Sequence, residues 1–130
     1  MEKKIHILFV DDDEVIRRLF GFKLAAAGFE VIYAEDGNQG REMARRFQPD
    51  LILIDLEMPV LDGIQTISLL KKEIQTAHIP VVLFTNTDLS IEAEKDMKEL
   101  GVIDYIPKAI EPSEFIDRIK ADLAKSAPKS

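Results

Sequence analysis

Cysteine is absent from this chain of 130 residues, which excludes disulfides, thiol nucleophiles and thiolate metal centres. Histidine is scarce. His6 and His78 alone leave little for a histidine-ligated metal, and they read as a strand and a loop residue without a chemical role. Any metal is therefore expected to be a hard cation bound by oxygen. No apolar run approaches the roughly 20 residues of a membrane span, and the Met1-Glu2-Lys3-Lys4 start leads into no signal-peptide core. The expectation is a soluble cytoplasmic protein without membrane contact. Positive charge is also in deficit: a net charge of −7 argues against nucleic acid as a direct partner, because phosphate backbones are bound by basic surface. Internal repeats and low-complexity segments are missing as well.

What is present is 46% hydrophobic residues, enough for one domain with a real core and too short a chain for two. We expect residues 1–125 to form that domain and 126–130 a frayed tail. The run Ile5–Val10 has strand length and ends in Asp11-Asp12-Asp13-Glu14, after which Ile16, Leu19, Phe20 and Leu24 fall at helical spacing. Asp13 suits that helix's N-cap, which leaves Asp11 and Asp12 without a structural duty. Gly28 suits the helix end, Phe29–Ala34 a second strand, and Asp36-Gly37 the entry to a helix carrying Met43, Ala44 and Phe47, closed by Pro49.

Leu51–Ile54 reads as a strand buried on both faces that ends abruptly in Asp55. Asp62 caps a third helix with the apolar stripe Ile64, Ile67, Leu70 and Ile74. Pro80 introduces the buried strand Val81–Phe84, which ends in Thr85. Ser90 and Gly101 bracket a fourth helix with Ala93, Met97 and Leu100. Val102–Ile106 is the last strand, marked as an edge by Pro107, and Glu111-Pro112 opens a helix with Phe115, Ile116, Ile119 and Leu123 inward. Strict alternation of five strands and five helices predicts an α/β fold: a doubly wound, parallel, five-stranded sheet with helices on both faces. Strands 1, 3 and 4 are the most apolar and should be central, with strand 2, carrying Glu30, and strand 5, carrying Pro107, at the edges; this fits the flavodoxin-like order 2-1-3-4-5, which is taken in part from known doubly wound folds.

Ligands of such sheets sit at the carboxyl ends of the strands. There this chain gathers Asp11, Asp12, Asp55, Thr85 and Lys108. Converging carboxylates raise one another's pKa unless a cation sits among them, and an oxygen-only cluster suits Mg²⁺. A lysine and a hydroxyl opposite them supply charge and a donor for a tetrahedral anion. Together they describe a carboxylate, Asp55, that accepts a phosphoryl group, with Lys108 and Thr85 holding the product.

These residues closely resemble the receiver domain of two-component response regulators, in particular the single-domain chemotaxis type. The likeness covers nearly the whole chain. It runs from Val10-Asp11-Asp12-Asp13 through Asp55 with Met58-Pro59 and Asp62-Gly63, to Thr85, Tyr105 and Lys108. It implies that Asp55 takes phosphate from a histidine kinase or phosphotransfer protein. It also implies that Asp12, Asp55 and the backbone carbonyl of Glu57 hold Mg²⁺, with Asp11 assisting through water. Thr85 and Tyr105 would then act as the switch, changing the face of helix 4, strand 5 and helix 5 that meets a downstream protein. A monomer or a phosphorylation-dependent dimer is implied, and no enzyme beyond self-phosphorylation from small donors and autodephosphorylation. Two positions depart from the pattern. Asn86 stands where the family has a small residue, which predicts slow exchange at Asp55. Ala109 stands where it has proline, which predicts a trans Lys108-Ala109 bond, since cis ahead of a non-proline residue costs about 2.5–4 kcal/mol.

Three other readings compete. A degenerate receiver would act as a phosphorylation-independent interaction module. A phosphatase of the haloacid dehalogenase type would need an Asp where Glu57 stands and leaves the acidic pair on strand 1 unused. A flavin site would need hydroxyl-rich phosphate loops that the chain lacks. With nothing following helix 5 that could serve as an output domain, the expectation is a stand-alone switch acting through a protein partner.

Overall fold

In the computed structural model, which describes residues 3–59 and 61–126, five strands alternate with five helices. They are β1 (His6–Val10), α1 (Glu14–Ala26), β2 (Glu30–Ala34), α2 (Gly37–Phe47), β3 (Leu51–Ile54), α3 (Gly63–Lys72), β4 (Val81–Thr85), α4 (Ile91–Leu100), β5 (Val102–Pro107) and α5 (Pro112–Ser126). The sheet is parallel throughout with the order β2-β1-β3-β4-β5, with β1, β3 and β4 central as their hydrophobicity predicts. The tail expected at 126–130 lies, beyond Ser126, outside the described residues.

Alternation along the central strands divides the core in two. Leu8, Val10, Ile52, Ile54, Val81 and Leu83 face one way and are covered by Ala44, Ile67, Leu70 and Met97 from α2, α3 and α4. Ile7, Phe9, Leu51, Leu53, Val82 and Phe84 face the other way, against Phe20 and Leu24 of α1 and Phe115 and Ile119 of α5. In that second half Phe20, Phe84 and Phe115 meet pairwise with ring centroids 4.7 to 4.9 Å apart, the tilted and edge-on contacts that aromatic quadrupoles favour. Both faces being buried explains why β1, β3 and β4 read as unbroken apolar runs.

The helix starts follow the capping chemistry. Asp13 accepts from the N–H groups of Val15 and Ile16, Asp36 from Gln39, Ser90 from Ala93, and Asp62 exchanges reciprocal bonds with Gln65. The register then aligns the strand ends, with Val10 opposite Ile54, Ile54 opposite Leu83 and Leu83 opposite Tyr105. A slip between Val81 and Val82 shifts β5 by one residue and places Pro107 beside Thr85 on the outer edge. Among the described residues no peptide bond is cis, so the Lys108-Ala109 bond is trans, as expected.

Several apolar side chains expected to face inward do not. Leu19 and Phe47 are 46% and 47% exposed, at the margins of their helices' buried stripes. Ile64 is 40% exposed and Ile74 94% exposed, so only Ile67 and Leu70 of the stripe on α3 enter the core. For Ile74 the reason is that α3 stops at Lys72. The buried Thr76 hydroxyl donates to the Leu70 carbonyl at 2.7 Å, and the Lys71 ammonium donates to the carbonyls of Ala77 and Ile79. Those bonds satisfy polar groups at the helix end and in the following turn, and the chain leaves the helical path before Ile74 can fall on its inner face.

Candidate functional site

Asp11 leaves β1 fully buried, with its N–H on the Ala34 carbonyl at 3.1 Å and its Oδ1 accepting from the N–H of Asp13 at 2.9 Å. Asp12 is exposed beside it. Asp55, 5% exposed, ends β3; its N–H reaches the Val10 carbonyl and its Oδ1 accepts from the N–H of Glu57 at 3.3 Å. The Asp62-Gly63 pair explains why α3 can start so close by. Asp62 caps the helix, while a Cβ on Gly63 would sit 2.3 Å from the Asp55 carbonyl oxygen, so no other residue fits without displacing the Asp55 backbone.

One carboxylate oxygen from each of Asp11, Asp12 and Asp55 lies within 4.8 Å of the others. Lys108, from the loop after β5, brings its ammonium to 2.8 Å from Asp11 Oδ2 and 2.9 Å from Asp55 Oδ2. Its side chain is 8% exposed. Burial raises the pKa of the Asp11 carboxyl, and the Lys108 charge only partly opposes it. Burial also disfavours the charge on Lys108, but Asp11 and Asp55 together outweigh it and hold its pKa above the ordinary lysine value. With one cation for three carboxylates, the site carries an excess of negative charge on hard oxygen donors. That donor set fits a small divalent ion such as Mg²⁺.

Thr85 completes the crevice. Its hydroxyl is buried at the end of β4, accepts from the Thr87 N–H at 3.3 Å, and lies 3.4 Å from the Thr87 hydroxyl. Thr87 in turn donates its hydroxyl to Glu57 Oε1 at 2.7 Å, and its carbonyl accepts from the Tyr105 hydroxyl. Tyr105 is half-buried, and burial with the nearby Asp88 and Glu94 raises its pKa. An open cavity of about 430 Å³ is lined by Asp12, Asp13, Asp55, Glu57, Thr85, Asn86 and Lys108.

The structure thus brings Asp11, Asp12, Asp55, Thr85 and Lys108 together, with Glu57 and Asn86 on the rim and Tyr105 one hydrogen bond further out. Sequence reading places Glu57 and Thr87 beside the path to Asp55 but missed the hydrogen bonds that join them and carry on to Tyr105, because such bonds have no sequence signature. It also missed Arg17, whose Nη1 donates to the Asp11 carbonyl at 2.5 Å; only its spacing of four from the Asp13 cap hinted at that position. A second cluster went unseen on the α5 side of β5. There Arg118 grips Asp104 with two nitrogens, and the carboxyl of Asp122, 4% exposed, is pushed up to about 7 by burial and by Asp104.

Comparison with known proteins gives a consistent result. Residues 7–120 match the family profile described as response regulator receiver domain. The chain is 32% identical over 117 residues to the polar-differentiation response regulator DivK of Brucella anthropi, covering 90% of this chain and 94% of that protein. It is 38% identical over 133 residues to the alkaline phosphatase synthesis transcriptional regulatory protein PhoP of Bacillus subtilis, covering 100% of this chain but 53% of that protein. The chain spans about half the length of such relatives. Among solved structures, the Vibrio cholerae chemotaxis protein CheY4 superposes with a TM-score of 0.85 at 26% identity, covering 92% of this chain and 98% of that one.

Proposed function

Because the chain belongs to the response regulator receiver domain family, whose members serve phosphorylation-based signalling in two-component systems, we propose that Asp55 is its phosphoacceptor. The observation that carries this is the Lys108 ammonium held between Asp11 and Asp55 at strand ends that also present Thr85. A carboxylate oxygen of Asp55 attacks the phosphorus of a phosphohistidine; the P–N bond breaks, and the electron pair and a proton stay with the donor's imidazole. The product is an acyl phosphate on Asp55. Lys108, already 2.9 Å from Asp55, offers its charge to the transferred group, and the Thr85 hydroxyl turns from Thr87 to donate to a phosphoryl oxygen. Receiver domains bind Mg²⁺ at an acidic pocket, and here Asp12, Asp55 and the Glu57 carbonyl would hold it, with Asp11 assisting through water. When bound it neutralises charge on the phosphoryl oxygens.

Receiver domains meet histidine kinases or phosphotransfer proteins on one side of their cycle and downstream targets on the other. For this chain we place the readout on α4, β5 and α5. The support is the path Thr85–Thr87–Tyr105: a hydroxyl recruited by the phosphoryl group releases Thr87, whose carbonyl holds Tyr105 on β5. The coupling expected is about 1–3 kcal/mol.

Incubation with acetyl phosphate and Mg²⁺ followed by intact-mass measurement tests the acceptor. We expect one phosphoryl group on the natural chain and none on Asp55→Asn, and a phosphorylated Asp55→Asn would refute the assignment. Hydrogen exchange with and without beryllofluoride tests the readout; unchanged protection over residues 86–110 removes it.

A further inference from the structure

Three carboxylates must be aimed as well as neutralised, and two of them sit side by side on a short loop. Asp11 has its N–H and its Oδ1 engaged as described, which leaves its backbone carbonyl to be satisfied. Arg17 takes it. The guanidinium Nη1 donates to that oxygen at 2.5 Å from a side chain only 13% exposed, and Nη2 lies 3.8 Å from Glu35. Carbonyl and N–H point oppositely across a trans peptide. Fixing the Asp11 oxygen therefore fixes the plane from which the exposed Asp12 side chain departs. The phosphotransfer scheme makes no use of Arg17, which is absent from the lining of the Asp55 cavity.

We infer that Arg17 is a positioning residue: by holding the Asp11 carbonyl it orients Asp12 and so sets the Mg²⁺ affinity of the carboxylate cluster. This rests on reading the cluster as a receiver's Mg²⁺ site. Aim and charge make opposite predictions. Loss of a cation near an anionic site tightens Mg²⁺ binding if charge alone matters, whereas loss of a group that orients a ligand weakens it.

Calorimetric titration of the unphosphorylated chain with Mg²⁺ separates the two. Arg17→Met should weaken binding about tenfold, as loss of an outer partner of a metal ligand does. Arg17→Lys keeps the charge and one donor but not the rigid fork, and should weaken binding about threefold. Arg18→Met removes the same charge one residue away, from a side chain 79% exposed and paired with Glu14, and should leave affinity within about twofold or tighten it. Binding by Arg17→Met as tight as that of the natural chain, or tighter, overturns the proposal, as does an Arg18→Met loss equal to it. If Arg17→Met does not fold, Arg17→Lys decides alone: threefold weakening supports the proposal and unchanged affinity overturns it. A natural chain that binds no Mg²⁺ sinks the receiver reading of the cluster and this inference with it. A natural chain that binds while its variants bind equally sinks only the role of Arg17.

Discussion

Two places in this molecule bring acidic side chains together around a single cation, and they resolve the crowding differently. At the strand ends Lys108 lies between Asp11 and Asp55, 2.8 and 2.9 Å away, while Asp12 stands exposed beside them. On the α5 side of β5, Arg118 gives two nitrogens to Asp104 at 2.5 and 3.0 Å, and the buried carboxyl of Asp122 lies beside Asp104. A lysine is a point charge on a flexible stem and can be shared; a guanidinium is a planar fork that commits to one carboxylate. The first cluster is left with surplus negative charge open to a cavity, on a set of hard oxygen donors that fits a divalent cation. In the second, Asp122 is buried while Arg118 is 43% exposed, and burial together with Asp104 pushes the Asp122 carboxyl up to about 7 as the pKa of Asp104 falls. Clustered carboxylates alone therefore do not mark a metal site. The identity of the cation and the burial of each carboxylate set the two clusters apart.

The comparison can be broken most forcefully at Lys108. Lys108→Met removes the charge from two buried carboxylates and should cost about 3 kcal/mol of stability in chelator, within the range for breaking a buried ion pair. Mg²⁺ should restore part of it. Denaturant unfolding with and without Mg²⁺ measures both, and a variant as stable as the natural chain in chelator would show that Asp11 and Asp55 do not depend on the lysine.

In the natural chain, Mg²⁺ at a hundred times its dissociation constant should add about 2.7 kcal/mol. Asp12→Ala should abolish most of that gain and lower labelling by acetyl phosphate with it. An unchanged Mg²⁺ dependence of the melting temperature would remove Asp12 from the ligand set.

The second cluster is sharpened by pH. The folded pKa of Asp122 lies near 7, above the ordinary value of 3.8, so the folded state holds the proton more tightly and stability is lost as pH rises from about 4 to 7. Alone, that shift would amount to roughly 4 kcal/mol, and the opposite shift of Asp104 offsets part of it. Asp122→Asn should therefore gain about 1–3 kcal/mol at pH 8 and nearly nothing at pH 4. Stability profiles of the two proteins that run parallel across this range would refute the proton on Asp122.

The smallest effect concerns the cavity beside the first cluster. Asn86 is exposed on its rim, and Asn86→Ala should speed labelling by small phosphodonors a few-fold, corresponding to under about 1 kcal/mol. An equal or slower rate would show that Asn86 does not narrow the path to Asp55.

The full strand order was read with the help of known folds, but the amino-acid sequence by itself determined the ten elements, the N-caps of the first four helices and which strands are central. These follow from rules that act over a few residues: apolar periodicity, side-chain acceptors at helix starts, proline at edges. It also determined the convergence of Asp11, Asp12, Asp55, Thr85 and Lys108, because parallel strands in this order present their carboxyl ends together wherever the loops run. Asp62 and Gly63 were legible for the same reason. The inward face of α3 was not, since its end depends on Thr76 and Lys71 returning from the following turn to bond carbonyls there. Nor were the long-range contacts of single polar groups. Arg17 on the Asp11 carbonyl, Thr87 between Glu57 and Tyr105, and Asp122 against Asp104 join residues by distance and angle, and a hydrogen bond leaves no period in a sequence. Tertiary structure alone decided which carboxylates would share a lysine and which would have its pKa raised, because that choice turns on burial and on the reach of one side chain.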